Sequence, residues 1–415
     1  MLIEPLLTAI GRKKTREYLT FTDAASIDLP EPEQGHPYLL YLHIPFCETL
    51  CPYCSFNRIP FETGLAERYF DALKKEMELY HRRGYLFEAV YVGGGTPTIL
   101  PDQMKAVLEK ARALWPIKQV SLETNPNHLT DEITSLLSAA GVNRLSVGVQ
   151  TFDDNLLKTL GRFEKYGSGD TIIQRLKRYQ GVFETLNVDM IYNFPDQTKA
   201  MVRKDLKVLQ NLNVDQITYY PLMASRLRKE EMARDMGKVR YGKEKAFYRI
   251  IQQELSGMYT PVSAWCFSRK AGMIDEYIVD YPEYAGLGSG AFGYLGGAIY
   301  SNTFSVPDYT ASLEKNILPL AGLKIFNQKE RALYDLLMEL FGGRVSPGAV
   351  KGILRKELLA LRLSGSLKKK EGGLETTGPG RYRTVILMRE FFNGVNNLRE
   401  QRLRHDEHIP PCIYD

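Results

Sequence analysis

The sequence predicts an α/β fold: a partial, TIM-like (β/α)6 barrel followed by a C-terminal helical cap. Two observations carry this prediction. Six short apolar segments alternate with amphipathic segments through the first half of the chain, which is typical of parallel strands joined by helices. Polar motifs follow directly after several apolar segments, and barrels of this kind place their functional residues at the carboxyl ends of the strands.

The predicted strands are short runs rich in Val, Ile, Leu and Tyr. They are residues 38–44, 89–92, 119–123, 144–149, 187–191 and 216–221. The predicted helices are residues 65–82, 101–113, 130–140, 154–159, 169–179 and 199–210. Because crossovers between parallel strands are right-handed, such a sheet is expected to roll into a full or partial barrel.

Shifts in composition divide the chain into five predicted parts. Residues 1–35 form an N-terminal extension and a linker rich in proline and glycine, and residues 36–230 form the barrel. Residues 231–322 are expected to close the barrel and face the substrate. Residues 323–400 form a winged-helix-like domain, and residues 401–415 form a polar tail.

The winged-helix prediction rests on helical patterns on both sides of a short hairpin. The helices are predicted at 328–341, 347–363 and 384–398, and the hairpin at 365–377. We expect this domain to pack over the barrel mouth rather than to bind DNA, because it lacks a dense basic stripe.

Charge and hydropathy exclude several classes of protein. The formal net charge of +5 is small for 415 residues, and charges of both signs are interspersed, which does not favour nucleic-acid binding. No apolar run approaches the length of a membrane span, and the N-terminus lacks a signal-peptide pattern. The sequence therefore predicts a cytoplasmic protein without a membrane partner.

Three of the five cysteines, Cys47, Cys51 and Cys54, lie within eight residues after the first predicted strand. Their Cys-x3-Cys-x2-Cys spacing suits zinc or an iron–sulfur cluster, since both favour thiolates. A structural zinc site needs four ligands, and the nearest candidate, His43, lies on the strand. Three cysteines on a [4Fe–4S] cluster would leave one iron open. The alternatives are a disulfide with a spare thiol, or buried structural cysteines.

The segment from Tyr41 to Cys54, which begins Tyr-Leu-His-Ile-Pro-Phe-Cys, resembles the radical S-adenosylmethionine (SAM) superfamily. Within it, the approach to the first cysteine resembles the oxygen-independent coproporphyrinogen III oxidase group. The resemblance implies a [4Fe–4S] cluster on Cys47, Cys51 and Cys54, with SAM chelated to the open iron. It also implies cleavage of SAM to a 5′-deoxyadenosyl radical, with an electron donor such as flavodoxin or ferredoxin.

Motifs at the later strand ends match the residues that surround SAM in this group. The glycine turn at 93–95 lets the backbone approach a ligand closely, and it resembles the motif that holds the SAM amino group. Each polar residue after it also has a local alternative, such as a helix cap or an ion pair. The resemblance assigns SAM binding to Tyr41, Tyr53, Gly94, Gly95, Thr96, Glu123, Gln150, Arg162, Asp189 and Met223.

Cys266 is the candidate catalytic residue outside these motifs. It follows Trp265 in a segment where the resemblance becomes looser. It is either a packed thiol or a side chain that faces the substrate as a hydrogen donor. The glycines at 286–293 resemble the Gly-x-Gly segment that closes over the substrate end of the cofactor in relatives.

Departures from the family pattern bear on the reaction. Dedicated coproporphyrinogen oxidases carry a further cysteine two residues after the third ligand, where this chain has Phe56. Haem chaperones of the group show His-Asn-x-x-Tyr-Trp before the late glycines. Residues 277–282 are Tyr-Ile-Val-Asp-Tyr-Pro and lack the histidine that could ligate haem iron.

The remaining relatives include class C radical SAM methyltransferases and anaerobic haem-degrading enzymes, which bind a second SAM. The leading hypothesis is thus a radical enzyme for class C methyl transfer or for modification of a tetrapyrrole, haem or porphyrin, or another planar substrate. Coproporphyrinogen III dehydrogenation and a non-enzymatic haem chaperone are the alternatives.

Overall fold

The computed structural model describes residues 3–23, 28–270, 277–348 and 352–403. Its strands are β1 Thr22–Asp23, β2 Pro37–Ile44, β3 Phe46–Cys47, β4 Ile59–Pro60, β5 Leu86–Gly94, β6 Gln119–Thr124, β7 Arg144–Gln150, β8 Thr185–Tyr192, β9 Gln216–Pro221, β10 Thr260–Pro261, β11 Cys266–Ser268, β12 Tyr284–Leu287, β13 Phe292–Leu295, β14 Ala298–Asn302, β15 Leu320–Ile325, β16 Arg344–Val345, β17 Leu367–Lys370 and β18 Gly373–Thr376.

The α-helices lie between these strands and at both ends of the described chain. They are α1 Ile3–Tyr18, α2 Thr63–Arg82, α3 Pro101–Leu114, α4 Asp131–Ala139, α5 Asp154–Thr159, α6 Phe163–Tyr166, α7 Gly169–Arg178, α8 Lys199–Leu212, α9 Arg226–Asp235, α10 Glu244–Leu255, α11 Tyr277–Asp280, α12 Val306–Glu314, α13 Gln328–Phe341, α14 Arg355–Leu363 and α15 Gly378–Leu403.

The largest sheet has parallel strands at its centre. Its order is β1-β15-β14-β13-β12-β2-β5-β6-β7-β8-β9-β11-β10. The strands from β12 through β9 in this order pair in parallel, and those outside them pair antiparallel. The parallel-rich α/β fold is confirmed, because β2 and β5–β9 coincide with the six predicted strands. The additional parallel strand, β12, was missed because it is short and contains glycine.

The central strands are almost continuously buried, as expected for parallel strands that helices cover on the outside. In β8, seven of the eight residues are buried. Hydroxyl caps fix the first turns of several helices that follow the strands: Thr130 accepts from the Ile133 N–H and Thr198 from the Met201 N–H. These caps set where each strand-to-helix loop ends, so the loops at the carboxyl edge of the sheet are short and defined.

The first and last described helices pack against each other. Arg12 of α1 forms a 2.9 Å ion pair with the buried Glu390 of α15. Arg389, next to Glu390, pairs with the buried Glu244 of α10. Since β1 also pairs with β15, the predicted N-terminal extension packs onto the body of the protein.

The C-terminal region combines α13 and α14 with a small sheet of order β16-β18-β17. Of the second predicted helix, 347–363, residues 347–348 are helical, residues 349–351 lie outside the described residues, residues 352–354 form a bend and a turn, and α14 begins at Arg355. The last helix is longer than predicted, because the Thr377 hydroxyl accepts the Gly380 N–H and so caps its first turn. The predicted tail lies outside the described residues from 404 onward. In the described ranges, no helix has both the length and the apolar composition that crossing a bilayer requires.

Candidate active site

A cavity of about 320 Å³ lies where the parallel strands end. It is lined by all thirteen residues predicted for the cluster and SAM: Cys47, Cys51 and Cys54, together with Tyr41, Tyr53, Gly94, Gly95, Thr96, Glu123, Gln150, Arg162, Asp189 and Met223. Cys266 is not among the lining residues. Its side chain is fully buried, and the neighbouring Trp265 lines the cavity instead.

The cysteine loop is held by backbone contacts rather than by disulfides. Cys47, Cys51 and Cys54 are all free thiols, so the predicted disulfide alternative is wrong. The Cys54 N–H donates to the Cys51 carbonyl over 3.2 Å. The guanidinium of Arg58 donates to the carbonyls of Cys51 and Cys54 over 2.6 and 2.7 Å. The loop therefore presents its three sulfur atoms to one cavity while Arg58 satisfies its backbone.

The three thiols line one cavity, and thiolates are ligands that both zinc and iron–sulfur clusters favour. Among the residues that the structure describes, no three His, Cys, Asp or Glu side chains are placed to hold one ion. On a [4Fe–4S] cluster, each of the three thiolates would bind a different iron.

His43 is committed to structural hydrogen bonds. Its Nδ1 lies 2.9 Å from the Tyr41 hydroxyl and its Nε2 lies 2.7 Å from the Asn57 carbonyl. A carbonyl can only accept, so Nε2 carries the proton and Nδ1 accepts from Tyr41. Burial, with a smaller effect from Arg399, lowers the pKa of His43 to about 3. The ring is thus neutral and is not a fourth ligand.

Two arginine side chains, Arg58 and Arg162, lie close to the thiols. Burial raises the pKa of Cys47 to about 11, and the neighbouring Cys54 adds to the rise. Arg162 Nη1 lies 4.0 Å from the Cys51 sulfur, and Arg58 acts on all three thiols. Since buried thiolates require a compensating cation or metal, these arginines suit an anionic cluster at this position.

The glycine turn leaves room that any side chain would fill. A Cβ on Gly95 would lie 2.6 Å from the Phe46 carbonyl and 3.0 Å from the Cys47 sulfur. A Cβ on Gly93 would lie 2.7 Å from the Glu123 carboxylate. Gly94 has φ +117°, a conformation that favours glycine. The turn therefore keeps the space beside Cys47 and Glu123 open for a ligand.

Glu123 is fixed beside that turn. Its carboxylate accepts hydrogen bonds from the Tyr91 hydroxyl at 2.9 Å and from the Gly94 N–H at 3.2 Å. Tyr91 lies on β5, so two adjacent strands hold the carboxylate at the cavity wall. Tyr91 precedes the glycine turn in the sequence, but it was not among the residues assigned to SAM, because it reads as a buried strand residue.

Gln150 and Arg162 carry buried polar atoms without partners. Gln150 Oε1 and Arg162 Nε are both buried and accept or donate no hydrogen bond within the described residues. Gln150 also has φ +75°, which is strained for a residue with a side chain. Arg162 donates to the Gly148 carbonyl over 2.9 Å and also contacts the Tyr53 hydroxyl. The unused atoms fit an amino-acid-bearing ligand such as SAM.

Asp189 accepts hydrogen bonds from two neutral donors on the same layer of the sheet. These are the Ser146 hydroxyl at 2.6 Å and the Asn187 amide at 2.7 Å. Met223, the remaining predicted residue, follows β9, and its carbonyl accepts from Asn396 of α15 over 3.2 Å.

The sequence motifs did not assign the individual residues of an aromatic wall to the site, and they missed a contribution from the C-terminal helix. The aromatic lining residues beyond the predicted ones include Tyr220, Trp265, Tyr284, Phe292, Tyr334, Phe391 and Phe392. Helix α15 also contributes Val395, Asn396 and Arg399. An aromatic pair such as Phe391-Phe392 in a helix is usually core packing, so the sequence alone carries no signal that these residues face a cavity.

Comparisons with known proteins indicate the family to which the chain is similar. Residues 41–209 match the family model described as the radical SAM superfamily. The chain is 31% identical to the heme chaperone HemW of Bacillus subtilis over 65% of this chain and 74% of that protein. It is 25% identical to an oxygen-independent coproporphyrinogen III oxidase of Pseudomonas aeruginosa over 74% of this chain and 72% of that protein.

The fold has a counterpart among solved structures. The coproporphyrinogen III oxidase HemN from Escherichia coli superposes with a TM-score of 0.71, covering 90% of this chain and 97% of that one at 22% identity. At this identity the likeness concerns the fold. At 90% coverage it extends beyond the barrel.

Proposed function

The chain belongs to the radical SAM superfamily, in the group of the coproporphyrinogen III oxidases and haem chaperones, and we propose that it is an enzyme that modifies a planar tetrapyrrole-type substrate by hydrogen abstraction. One observation carries the proposal: all thirteen predicted cluster and SAM residues line the same cavity as the aromatic wall. When bound, the cluster and SAM supply a 5′-deoxyadenosyl radical after one-electron reduction.

The protein's own residues would hold the two groups side by side. Cys47, Cys51 and Cys54 would ligate the cluster, which leaves one iron for the amino and carboxylate groups of SAM. The Arg162 guanidinium, with an unused Nε, and the unused Gln150 Oε1 suit the charged amino-acid end of SAM. Hydrogen bonds to SAM would offset the free-energy cost of burying Arg162 Nε and Gln150 Oε1 without partners.

Two carboxylates suit the remainder of SAM. Glu123 lies against the glycine turn, where the SAM amino group or ribose would approach. Asp189, held by Ser146 and Asn187, can accept from a ribose hydroxyl. Both carboxylates are fixed by neighbouring strands before any ligand binds, which lowers the entropy cost of binding.

The aromatic wall supports a flat substrate. Trp265, Phe391 and Phe392 line the cavity and belong to segments other than the parallel strands. Aromatic rings of this kind pack well against an extended π-system. Phe56 lines the cavity at the position where dedicated coproporphyrinogen oxidases carry a cysteine. We therefore favour class C methyl transfer or another tetrapyrrole modification over oxidative decarboxylation, with a second SAM as part of the methyl-transfer route.

A second candidate function is a haem chaperone, which the similarity to the HemW protein of Bacillus subtilis favours. Against it, the described residues that line the cavity include no histidine for haem iron. Anaerobic reconstitution separates these functions when three products are measured together. An enzyme forms 5′-deoxyadenosine in a substrate-dependent way, and methyl transfer adds S-adenosylhomocysteine.

Stoichiometric haem uptake without substrate-dependent SAM cleavage would instead identify a chaperone. Release of carbon dioxide from coproporphyrinogen III would identify the dehydrogenase. The electron donor in these assays is dithionite, and a flavodoxin or ferredoxin is the proposed natural donor.

A further inference from the structure

Arg399 is a buried cation at the cavity wall. It lies on α15, and only 5% of its surface is exposed. Its Nη1 donates to the Ser55 carbonyl at 2.9 Å and to the Asn396 amide oxygen at 3.0 Å. Its Nε is buried and has no hydrogen-bond partner. The guanidinium is therefore bound only by neutral acceptors and keeps an unused donor.

No carboxylate of the described residues forms an ion pair with Arg399. The adjacent Glu400 forms its ion pair with Arg228, at 3.4 Å. Two phenyl rings, those of Phe56 and Phe292, lie 5.6 and 5.9 Å from the guanidinium carbon. Burial lowers the pKa of Arg399 to about 10, so the side chain stays charged at neutral pH. Tyr41, Cys54 and Glu400 favour the charged form electrostatically, and an anionic ligand group at Nε would add a direct ion pair for this buried cation.

The other two arginines of the cavity have different surroundings. The Arg58 guanidinium donates hydrogen bonds to carbonyls of the cysteine loop, and Arg162 lies among the predicted SAM residues. Arg399 instead shares its helix with the aromatic residues Phe391 and Phe392, which line the substrate part of the cavity. Arg399 thus connects the cysteine loop, through Ser55, with the helix that carries these two aromatic lining residues.

We propose that Arg399 binds a carboxylate side chain of the planar substrate and so selects acidic tetrapyrroles over their uncharged counterparts. The inference rests on the proposed function, because it takes the aromatic part of the cavity as the substrate site. A planar ligand against Phe391 and Phe392 with a carboxylate on Arg399 would bury its ring and neutralise the cation in one step. Arg399 is a specificity residue in this account and takes no part in the radical chemistry.

Binding of protoporphyrin IX, a diacid, and of its dimethyl ester to the full-length anaerobically reconstituted protein tests this role. Quenching of tryptophan emission reports binding, since Trp265 lines the cavity. We expect wild type to prefer the diacid, and Arg399→Met to weaken diacid binding by about tenfold or more, as for a hydrogen bond between charged groups. The diester should bind both proteins equally. Arg399→Lys should recover part of the difference.

Arg402→Met is the matched control. It lies on the same helix, three residues on, and does not line the cavity, so it should bind both porphyrins as wild type does. Equal binding of diacid and diester to wild type, or an unchanged diacid affinity in Arg399→Met, would overturn the inference. The same holds if Arg399→Met weakens SAM binding alone, because Arg399 would then serve the SAM carboxylate.

The experiments distinguish a failure of the proposed function from a failure of the role proposed for Arg399. If the protein discriminates the two porphyrins through Arg399 but never cleaves SAM, the inference stands and the enzymatic function is wrong. If SAM is cleaved but neither porphyrin binds, the radical function stands, and both the tetrapyrrole assignment and the role of Arg399 are overturned.

Discussion

The Arg58 guanidinium donates a 2.6 Å hydrogen bond to the carbonyl oxygen of Cys51. The same guanidinium reaches the Cys54 carbonyl, so one side chain spans two turns of the cysteine loop. It also places a positive charge near all three thiols. Arg58 therefore fixes the loop that carries the three proposed cluster ligands, and it is not itself proposed as a ligand.

Replacing Arg58 should loosen the cluster without unfolding the protein. Arg58→Ala removes the hydrogen bonds to the Cys51 and Cys54 carbonyls and the positive charge beside the proposed cluster. We therefore expect a chelator to remove iron about tenfold faster, as for other residues that orient metal ligands. Visible absorbance of the reconstituted cluster measures this. Arg355→Ala, on α14, is the control, and equal iron loss in both variants would contradict the positioning role.

The glycine turn should not tolerate a methyl group. In Gly95→Ala the new Cβ meets the Phe46 carbonyl and the Cys47 sulfur, so the cysteine loop must shift. We expect a low iron and sulfide content after reconstitution. Gly242→Ala, where a Cβ has no neighbour within 4 Å, should load as wild type does. A fully loaded Gly95→Ala protein would show that the turn does not limit the site.

Gln150 combines an unused hydrogen-bond acceptor with a strained backbone, and two substitutions separate these properties. Gln150→Ala and Gln150→Gly should each weaken SAM binding by about twofold to tenfold, the worth of one neutral hydrogen bond. Gln150→Gly should melt at a higher temperature than Gln150→Ala, since glycine adopts φ +75° without strain. Equilibrium binding and thermal melts measure both. Unchanged SAM affinity would remove Gln150 from the site.

Glu76 should make stability depend on pH. Its buried carboxylate accepts from Gly288, Asn302 and Tyr309, yet burial raises its pKa from 4.5 to about 7. The raised pKa favours the protonated form in the folded protein, so its stabilising contribution is complete below pH 4.5 and is lost as pH rises through 7. The shift corresponds to on the order of 3 kcal/mol.

Melting temperatures of wild type and Glu76→Gln between pH 4.5 and 8 check this expectation. Wild type should lose stability relative to Glu76→Gln as the pH rises, because glutamine does not titrate. Melting temperatures that change in parallel for the two proteins would show that Glu76 has an ordinary pKa in the fold.

The parallel strands, and the grouping of the predicted site residues around one cavity, were predictable because each depends on a short segment. A buried strand followed by a glycine turn or a carboxylate is visible within ten residues, and parallel strands bring such ends together. The sequence also led us to expect the C-terminal domain over the barrel mouth, but it did not indicate which residues of that domain line the cavity. Arg399 contacts Ser55 across 344 residues, and that contact depends on how α15 packs over the barrel.

Two local features were hidden for other reasons. Gln150 has a positive φ at the end of β7, where the pairing with β8 shifts register, and glutamine gives no sequence signal for it. Cys266 was a candidate from its segment of the sequence, but its side chain is fully buried and does not line the cavity, whereas the neighbouring Trp265 does.

The central claim is that Cys47, Cys51 and Cys54 hold a cluster that cleaves SAM in this cavity. The most direct test measures iron, sulfide and 5′-deoxyadenosine in anaerobically reconstituted wild type, in a Cys47→Ala, Cys51→Ala and Cys54→Ala triple variant, and in Cys266→Ala. We expect wild type and Cys266→Ala to bind iron and sulfide and to form 5′-deoxyadenosine with SAM and dithionite, and the triple variant to do neither. A triple variant that retains cluster and product would contradict the claim.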